Sequence, residues 1–464
     1  VHTVLGLLLL IILFVATIAW GSRPIAYRLV LSFALLLWSV LVVGFAGWCH
    51  VRMPCHQRVG IRASKRRIAL ALGAFAVLVY GGVSALEWSV DTVWSGQSLF
   101  MWAGPIVLVP AVAMWCQDID FFRFSADRLT TWFAFGGFSW VIIGLLLWGW
   151  PSNPLHAWLA KQSWPHGKVF ATIDYHGNAG TLIVLTAIWL SLWVSGRKYA
   201  WRWSVLLLPI LIASVINASR TGMIMVPVAV LAAIGIAWWG QYQRDHHDGA
   251  LSLGRGWAFR QIISVGLCSV FIGGALIGAG YAFWDRLQGS AIDRLSTWVS
   301  EVKPEHYPRW MEMEAAWRLI QSRPFVGYGV GSYPAVSAEE PGIQDHFFAP
   351  SPLSRDAFNS LHHANSDPME VWVEWGAVGW MLLVWPVGWA MARSWRVALG
   401  ARVNQSTQCL MLGVALSLTA VVLHGLIDCT LQLPVILALF SVLVGIGCAW
   451  PIVCFTGIKQ EGGC

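Results

Sequence analysis

His362, His363, Asn365, Asp367, Glu370 and Glu374 crowd into residues 358–380, Phe-Asn-Ser-Leu-His-His-Ala-Asn-Ser-Asp-Pro-Met-Glu-Val-Trp-Val-Glu-Trp-Gly-Ala-Val-Gly-Trp. A neutral imidazole is a general base for a hydroxyl proton, and carboxylates at i and i+4 share one face of a helix, so the stretch is equipped for proton transfer. Three other short elements carry polar groups into apolar sequence. They are Arg220 in Asn217-Ala218-Ser219-Arg220-Thr221-Gly222, the i, i+4 pair His424 and Asp428, and His176 with Asn178. A guanidinium takes two diphosphate oxygens in bidentate fashion, which makes Arg220 a candidate for holding an anionic substrate.

Each group also has a purely structural reading. Arg220 can anchor a helix end among lipid headgroups, and Glu370 and Glu374 can meet the positive N-terminal end of their own helix. His424 and Asp428 either satisfy each other in a dry bundle or orient a substrate. His176 reads as a loop histidine. The Gly-x-Gly-x-Gly run at 327–331 reads as a tight turn, because no strand precedes it as a dinucleotide site would require.

The elements that must position these groups are membrane spans. With 57% hydrophobic and 11% charged residues and a mean hydropathy of +0.63, no soluble globule of this length avoids large exposed apolar patches. The apolar runs recur near the ~20 residues that cross a bilayer as a helix, which predicts an all-α polytopic membrane bundle rather than a barrel. They fall near 4–20, 29–48, 67–86, 99–116, 131–150, 179–195, 203–217, 221–239, 261–283, 371–391, 408–427 and 433–455, about twelve transmembrane helices. None of them reads as an interrupted span of the kind that transporters pair. The first run is read as a span, not a cleaved signal peptide. Many of the 31 tryptophans lie near span ends, where an aromatic belt sits. The nine cysteines imply no disulfide framework, and Cys49-His50 with Cys55-His56 matches no common zinc spacing.

Lys and Arg set the orientation. If the loop at 49–67 is cytoplasmic, it and its alternates carry 18 basic residues, against five in the opposite short loops: Arg23, Arg28, Lys161, Lys168 and Arg220. Both termini are then cytoplasmic, and 284–370 faces outward between spans nine and ten. The net charge of +7 thus reports topology, and no nucleic-acid partner is expected. Three parts follow: 1–283 with nine spans, the outward segment 284–370, and 371–464 with three spans and a cytoplasmic C-terminus. Within the outward segment Trp310, Met313, Trp317 and Ile320 recur at helical spacing, predicting an amphipathic helix that stops at Arg323-Pro324. The topology then brings Arg220, His363, Glu370, Glu374, His424 and Asp428 to the outward side. That constellation suits a lipid-linked anionic substrate whose diphosphate is the leaving group.

Four stretches in order resemble the O-antigen ligase and polymerase superfamily of bacterial envelope glycosyltransferases. They are Ser219-Arg220-Thr221-Gly222; Arg309-Trp310 with Pro324-Phe325-Val326-Gly327-Tyr328-Gly329-Val330-Gly331; His363 through Gly379; and His424 to Asp428 with Pro434. The resemblance implies transfer, on the periplasmic face of the bacterial inner membrane, of a glycan from undecaprenyl diphosphate to a sugar hydroxyl. The displacement is direct and inverting, and uses no metal or cofactor. It implies that Arg220 and Arg309 hold the diphosphate, that His363 acts on the acceptor hydroxyl, and that Asn365, Glu370, Glu374, His424 and Asp428 line the substrate groove. One position departs from the ligase pattern: its second histidine is Asn365 here, and asparagine takes no proton. His363, then Glu370, are the replacement bases, unless the acceptor needs little base help. This departure points to polymerase over ligase to a lipid A core, with a flippase and a chain-length regulator as partners. A multi-span solute transporter is the reading from a different class.

Overall fold

The computed structural model describes residues 2–19, 25–52, 61–116, 119–149, 176–197, 200–217, 219–247, 308–340, 363–400 and 403–449. No strand occurs among them. Helix α1 spans His2–Ala19, α2 Ile25–Arg52, α3 Ile61–Val83, α4 Thr92–Trp115, α5 Ile119–Gly149 and α6 His176–Ser195. A single turn, Ala200–Trp203, and a tighter one, Ser204–Leu206, lead into α7, Leu207–Ile216, and α8 follows at Arg220–His247. Residues 308–340 contribute α9, Pro308–Ser322, and the short α10, Tyr333–Ser337. The C-terminal part holds α11, Asp367–Ala398, α12, Gln405–Gly425, and α13, Pro434–Ala449.

Among the described residues eight helices are long and apolar enough to cross a membrane, and the apolar stretches of α1, α7 and α13 are shorter. The chain is a helical, multi-pass membrane protein. Of the twelve expected spans, the ninth, 261–283, lies outside the described residues, and so does most of 284–370. The short break expected near 217–220 is present, since α7 ends at Ile216 and α8 begins at Arg220. The tenth span departs from expectation: α11 starts at Asp367 and breaks at Gly376, whose φ of 63° and ψ of 179° are not helical.

The bundle is organised around α6, which is buried along its whole apolar length and packs against α5, α8 and α12. Alongside, α4 packs against α2, α3 and α13, and α11 against α12. One core of buried apolar side chains runs through most of these helices. A second, smaller one gathers Val77, Trp102, Val330, Val371 and Trp375. A third docks α9 on the start of α11 through Ala316, Leu319, Ile320, Tyr333, Ala364 and Val373.

The amphipathic helix expected from the spacing of Trp310 to Ile320 forms, at Pro308–Ser322. Glu312, Ala315, Ala316, Leu319 and Ile320 face inward, whereas Trp310 and Trp317 are 54% and 49% exposed. Tyr333 is buried in the same cluster, between α9 and the start of α11.

Candidate active site

The break in α11 determines where its first half points. In an unbroken helix Ala377 N–H would bond Val373 O, and Val378 N–H would bond Glu374 O. Instead Ala377 N donates to Pro324 O (2.8 Å) and Val378 N to Phe325 O (3.4 Å), while Val373 O accepts from Tyr328 N (2.9 Å) and Glu374 O from Gly329 N (3.0 Å). The backbone of 324–329 is therefore spliced into the helix ladder, and every group freed by the break is satisfied. Trp372 Nε1 also donates to Pro324 O (2.9 Å), and the Tyr80 hydroxyl donates to Trp375 O (2.8 Å). Close backbone approach explains the glycines: Gly327, Gly329, Gly331 and Gly376 all have positive φ, and a Cβ on Gly327 or Gly376 would collide with the facing main chain. The far side of the turn rests on the α3–α4 corner, where Trp94 Nε1 donates to Gly331 O (2.8 Å).

The half-helix so placed carries three buried carboxylates. Glu370 accepts from Ala364 N at 2.8 Å through Oε2 and lies 2.9 Å from His363 Nδ1 through Oε1. Its side chain is 2% exposed against 21% for His363. Glu374 accepts from Tyr333 N (3.3 Å). Asp367 accepts at Oδ2 from Thr430 N (3.0 Å) and Leu431 N (2.9 Å). None of these bonds serves the N-terminus of α11 itself; each carboxylate holds another segment in place. Asn365, in the left-handed region at φ 49°, a conformation asparagine tolerates, donates to Glu312 of α9. The Tyr333 hydroxyl donates to Glu312 O (3.3 Å). Burial first, then the negative charge of Glu370, Glu312, Glu340 and Glu374, pushes the Tyr333 phenol well above its ordinary range and keeps it a neutral donor.

The same end of the bundle holds His424, 2% exposed at the close of α12. Its Nδ1 meets Thr181 Oγ1 at 2.6 Å, and its Nε2 lies 3.5 Å from Asp428 Oδ2, an ion-pair separation longer than a hydrogen bond. Asp428 Oδ1 accepts from Cys429 N (2.8 Å). At Gly180, the residue before Thr181, α6 meets the start of α8. Ser219 caps α8 by accepting from Gly222 N (3.2 Å), and a Cβ on Gly222 would come within 3.2 Å of Gly180 Cα.

A continuous series of contacts therefore runs from the Ser219–Gly222 element through Gly180 and Thr181 to His424. It continues through Gly425, which lies against Asp367, to Glu370 and His363. The starts of α6, α8 and α11 and the end of α12 meet at one end of the bundle. The structure brings together His363, Asn365, Glu370, Glu374, His424 and Asp428. Arg220 opens α8 at this end, and Arg309 lies one turn before Glu312 in α9. The side chains of Arg220, Arg309 and His176, and all of His362, lie outside the described residues.

Sequence reasoning missed Thr181, Glu312 and Tyr333, and left Asp367 without a role. Only Asp367 carried a local signal, an acid at the first position of a helix; the others are ordinary residues of apolar or amphipathic helices. Among the described residues no group of three or more His, Cys, Asp or Glu is placed to hold a metal ion. No protein-family model matches the chain, and no curated protein matches it.

Proposed function

We propose that the chain is a membrane glycosyltransferase that moves a glycan from a polyprenyl diphosphate, undecaprenyl diphosphate in bacteria, to a sugar hydroxyl during surface-polysaccharide assembly, acting as a polymerase. The observation that carries this reading is the His363–Glu370 pair. With Nδ1 held by Glu370, Nε2, across the ring, is the nitrogen assigned to the acceptor hydroxyl. The acceptor hydroxyl oxygen attacks the anomeric carbon, its proton passes to His363 Nε2, and the anomeric bond to the diphosphate oxygen breaks with the electron pair leaving on the diphosphate. Arg220 and Arg309 stabilise that charge. His424 and Asp428 shape the acceptor side, and Asn365 and Glu374 act by fixing the segments that flank the groove. The face is periplasmic and both termini are cytoplasmic.

A broken span is also a feature of solute transporters, where unwound backbone lines a cavity. Here the break is filled by the backbone of 324–329, which supports a scaffolding role for it. The test is deletion of the gene in its host, complemented with wild type, His363→Ala and Glu370→Gln, and gel analysis of surface glycan. Loss of long polymer, with single repeats still attached to lipid A core, is the expected result in the deletion and both variants. Polymer accumulating on the lipid carrier would mean a ligase. Unchanged glycan with altered uptake of a small solute would overturn the reading in favour of a transporter.

A further inference from the structure

Among the described residues Asn365 is the one residue other than glycine with a positive φ, and it stands two residues after His363 at the bend that leads into α11. A left-handed backbone is unfavourable for any residue that carries a Cβ, so the bend needs an outside hold. Glu312 of α9 supplies it, accepting from Asn365 Nδ2 at Oε2. Glu312 is 6% exposed and is itself fixed from two directions. The Tyr333 hydroxyl donates to its carbonyl oxygen (3.3 Å), and the next turns of α9, through Ala316, Leu319 and Ile320, join Ala364 and Val373 in one apolar cluster. These bonds close a ring. From Asn365 the chain leads back to Ala364, which donates to Glu370 Oε2 (2.8 Å). One turn along α11, Glu374 accepts from Tyr333 N (3.3 Å), and Tyr333 returns to Glu312. His363 is attached to this ring through its Nδ1, 2.9 Å from Glu370 Oε1, and through its main chain, which runs into Ala364 and Asn365. A bond to one ring nitrogen fixes the tilt of an imidazole. Where its Cα stands is set by the bend.

We propose that Glu312 is a positioning residue for His363, acting through Asn365. Packing alone does not explain a carboxylate here, because its neighbours on the inward face of α9 are alanines, leucine and isoleucine, and a buried charge is costly unless a partner needs it. The same helix carries Arg309 one turn before Glu312, so the bond also ties the backbone that bears Arg309 to the backbone that bears His363. The catalytic meaning of this tie rests on the glycosyltransferase reading. There Arg309 holds the diphosphate and His363 takes the acceptor proton, and their separation has to match that of the leaving and attacking oxygens.

The test reads the placement of His363 directly. Full-length protein in detergent is treated with diethyl pyrocarbonate, and carbethoxylation is followed residue by residue by tandem mass spectrometry. Glu312→Leu removes the acceptor and suits the apolar seat, while Asn365→Gly removes the donor and leaves the left-handed bend unstrained. Each should raise the rate at His363 about tenfold, the shift that loss of a hydrogen bond to a charged group brings. The double variant should be no faster than the faster single, because both remove one interaction. Glu312→Gln keeps an oxygen to accept the amide and should stay within about twofold of wild type. His424, 2% exposed, should remain unreactive and so report an intact bundle; if Glu312→Leu exposes it, Asn365→Gly decides. An unchanged rate at His363 in the variants, or singles whose effects multiply in the double, would overturn the proposal whatever the glycan does. In the complemented host, Glu312→Leu should lose long polymer and Glu312→Gln should restore it. A raised rate at His363 with long polymer intact would uphold Glu312 as the hold on His363 and overturn the glycosyltransferase reading instead.

Discussion

Replacing Gly376 by alanine tests whether the splice between α11 and the glycine turn holds the site together. With φ 63° and ψ 179°, the position falls in a region essentially reserved for glycine, where a side chain costs about 1–3 kcal/mol. The added Cβ would also meet the carbonyl of Phe325, main chain that has no rotamer to escape through. The turn must therefore move, and losing two of the four exchanged backbone bonds adds roughly 1–3 kcal/mol at 0.5–1.5 kcal/mol each. The variant should lose about 2–6 kcal/mol in all. Gly388→Ala in the same helix, at an open position, is the control and should be neutral or gain up to about 1 kcal/mol. Thermal unfolding of the purified protein in detergent reads the loss, and limited proteolysis between 324 and 333 reads release of the turn. A Gly376→Ala protein that melts with the Gly388→Ala control and keeps the turn protected would refute the reasoning.

Thr181→Val keeps the shape of α6 but removes the partner of the buried His424 Nδ1; a cost of about 1–3 kcal/mol is expected, read as a lower melting temperature. Asp367→Ala deprives Thr430 N and Leu431 N of their acceptor and should cost roughly 2–6 kcal/mol, at about 1–3 kcal/mol for each buried donor left unsatisfied. Asp367→Asn, which keeps one carbonyl oxygen, should lose less than half of that in the same melt.

Most of the architecture was legible because a membrane span announces itself over ~20 residues of composition. The break between α7 and α8 and the helix ending at Ser322 were readable for similarly local reasons: a short polar stretch, and the proline of Arg323-Pro324. The break in α11 was not. Glycine at 376 is an ordinary residue of a membrane helix, and what makes it a break is the chain fifty residues earlier whose backbone enters the ladder. Spacing marked α9 as amphipathic without saying which side docks: Ala316, Leu319 and Ile320 pack with Tyr333, while Trp310 and Trp317 stay exposed. The candidate acids and bases stood out as polar residues in apolar sequence, whereas Thr181, which fixes His424, is a threonine in a buried helix with no mark at all.

The two structural readings of the acidic pairs separate on geometry. Glu370 and Glu374 do not serve the end of their own helix; they reach His363, Ala364 and Tyr333. His424 and Asp428 satisfy each other only in part, since the closer partner of the histidine is Thr181. Burying this many ionisable groups is expensive in a membrane protein, and a bundle that needed only to stand would place apolar side chains there at less cost. The arrangement makes sense if the half-helix 367–375 is a rigid mount. Asp367 fastens it to the end of α12, Glu374 to the glycine turn, and Glu370 is left to orient His363, which is more exposed than His424. On the proposed glycosyltransferase reading Glu370 is a positioning residue: substituting it should depress turnover far more than acceptor binding. A variant that instead weakened the acceptor alone would assign Glu370 to the substrate groove.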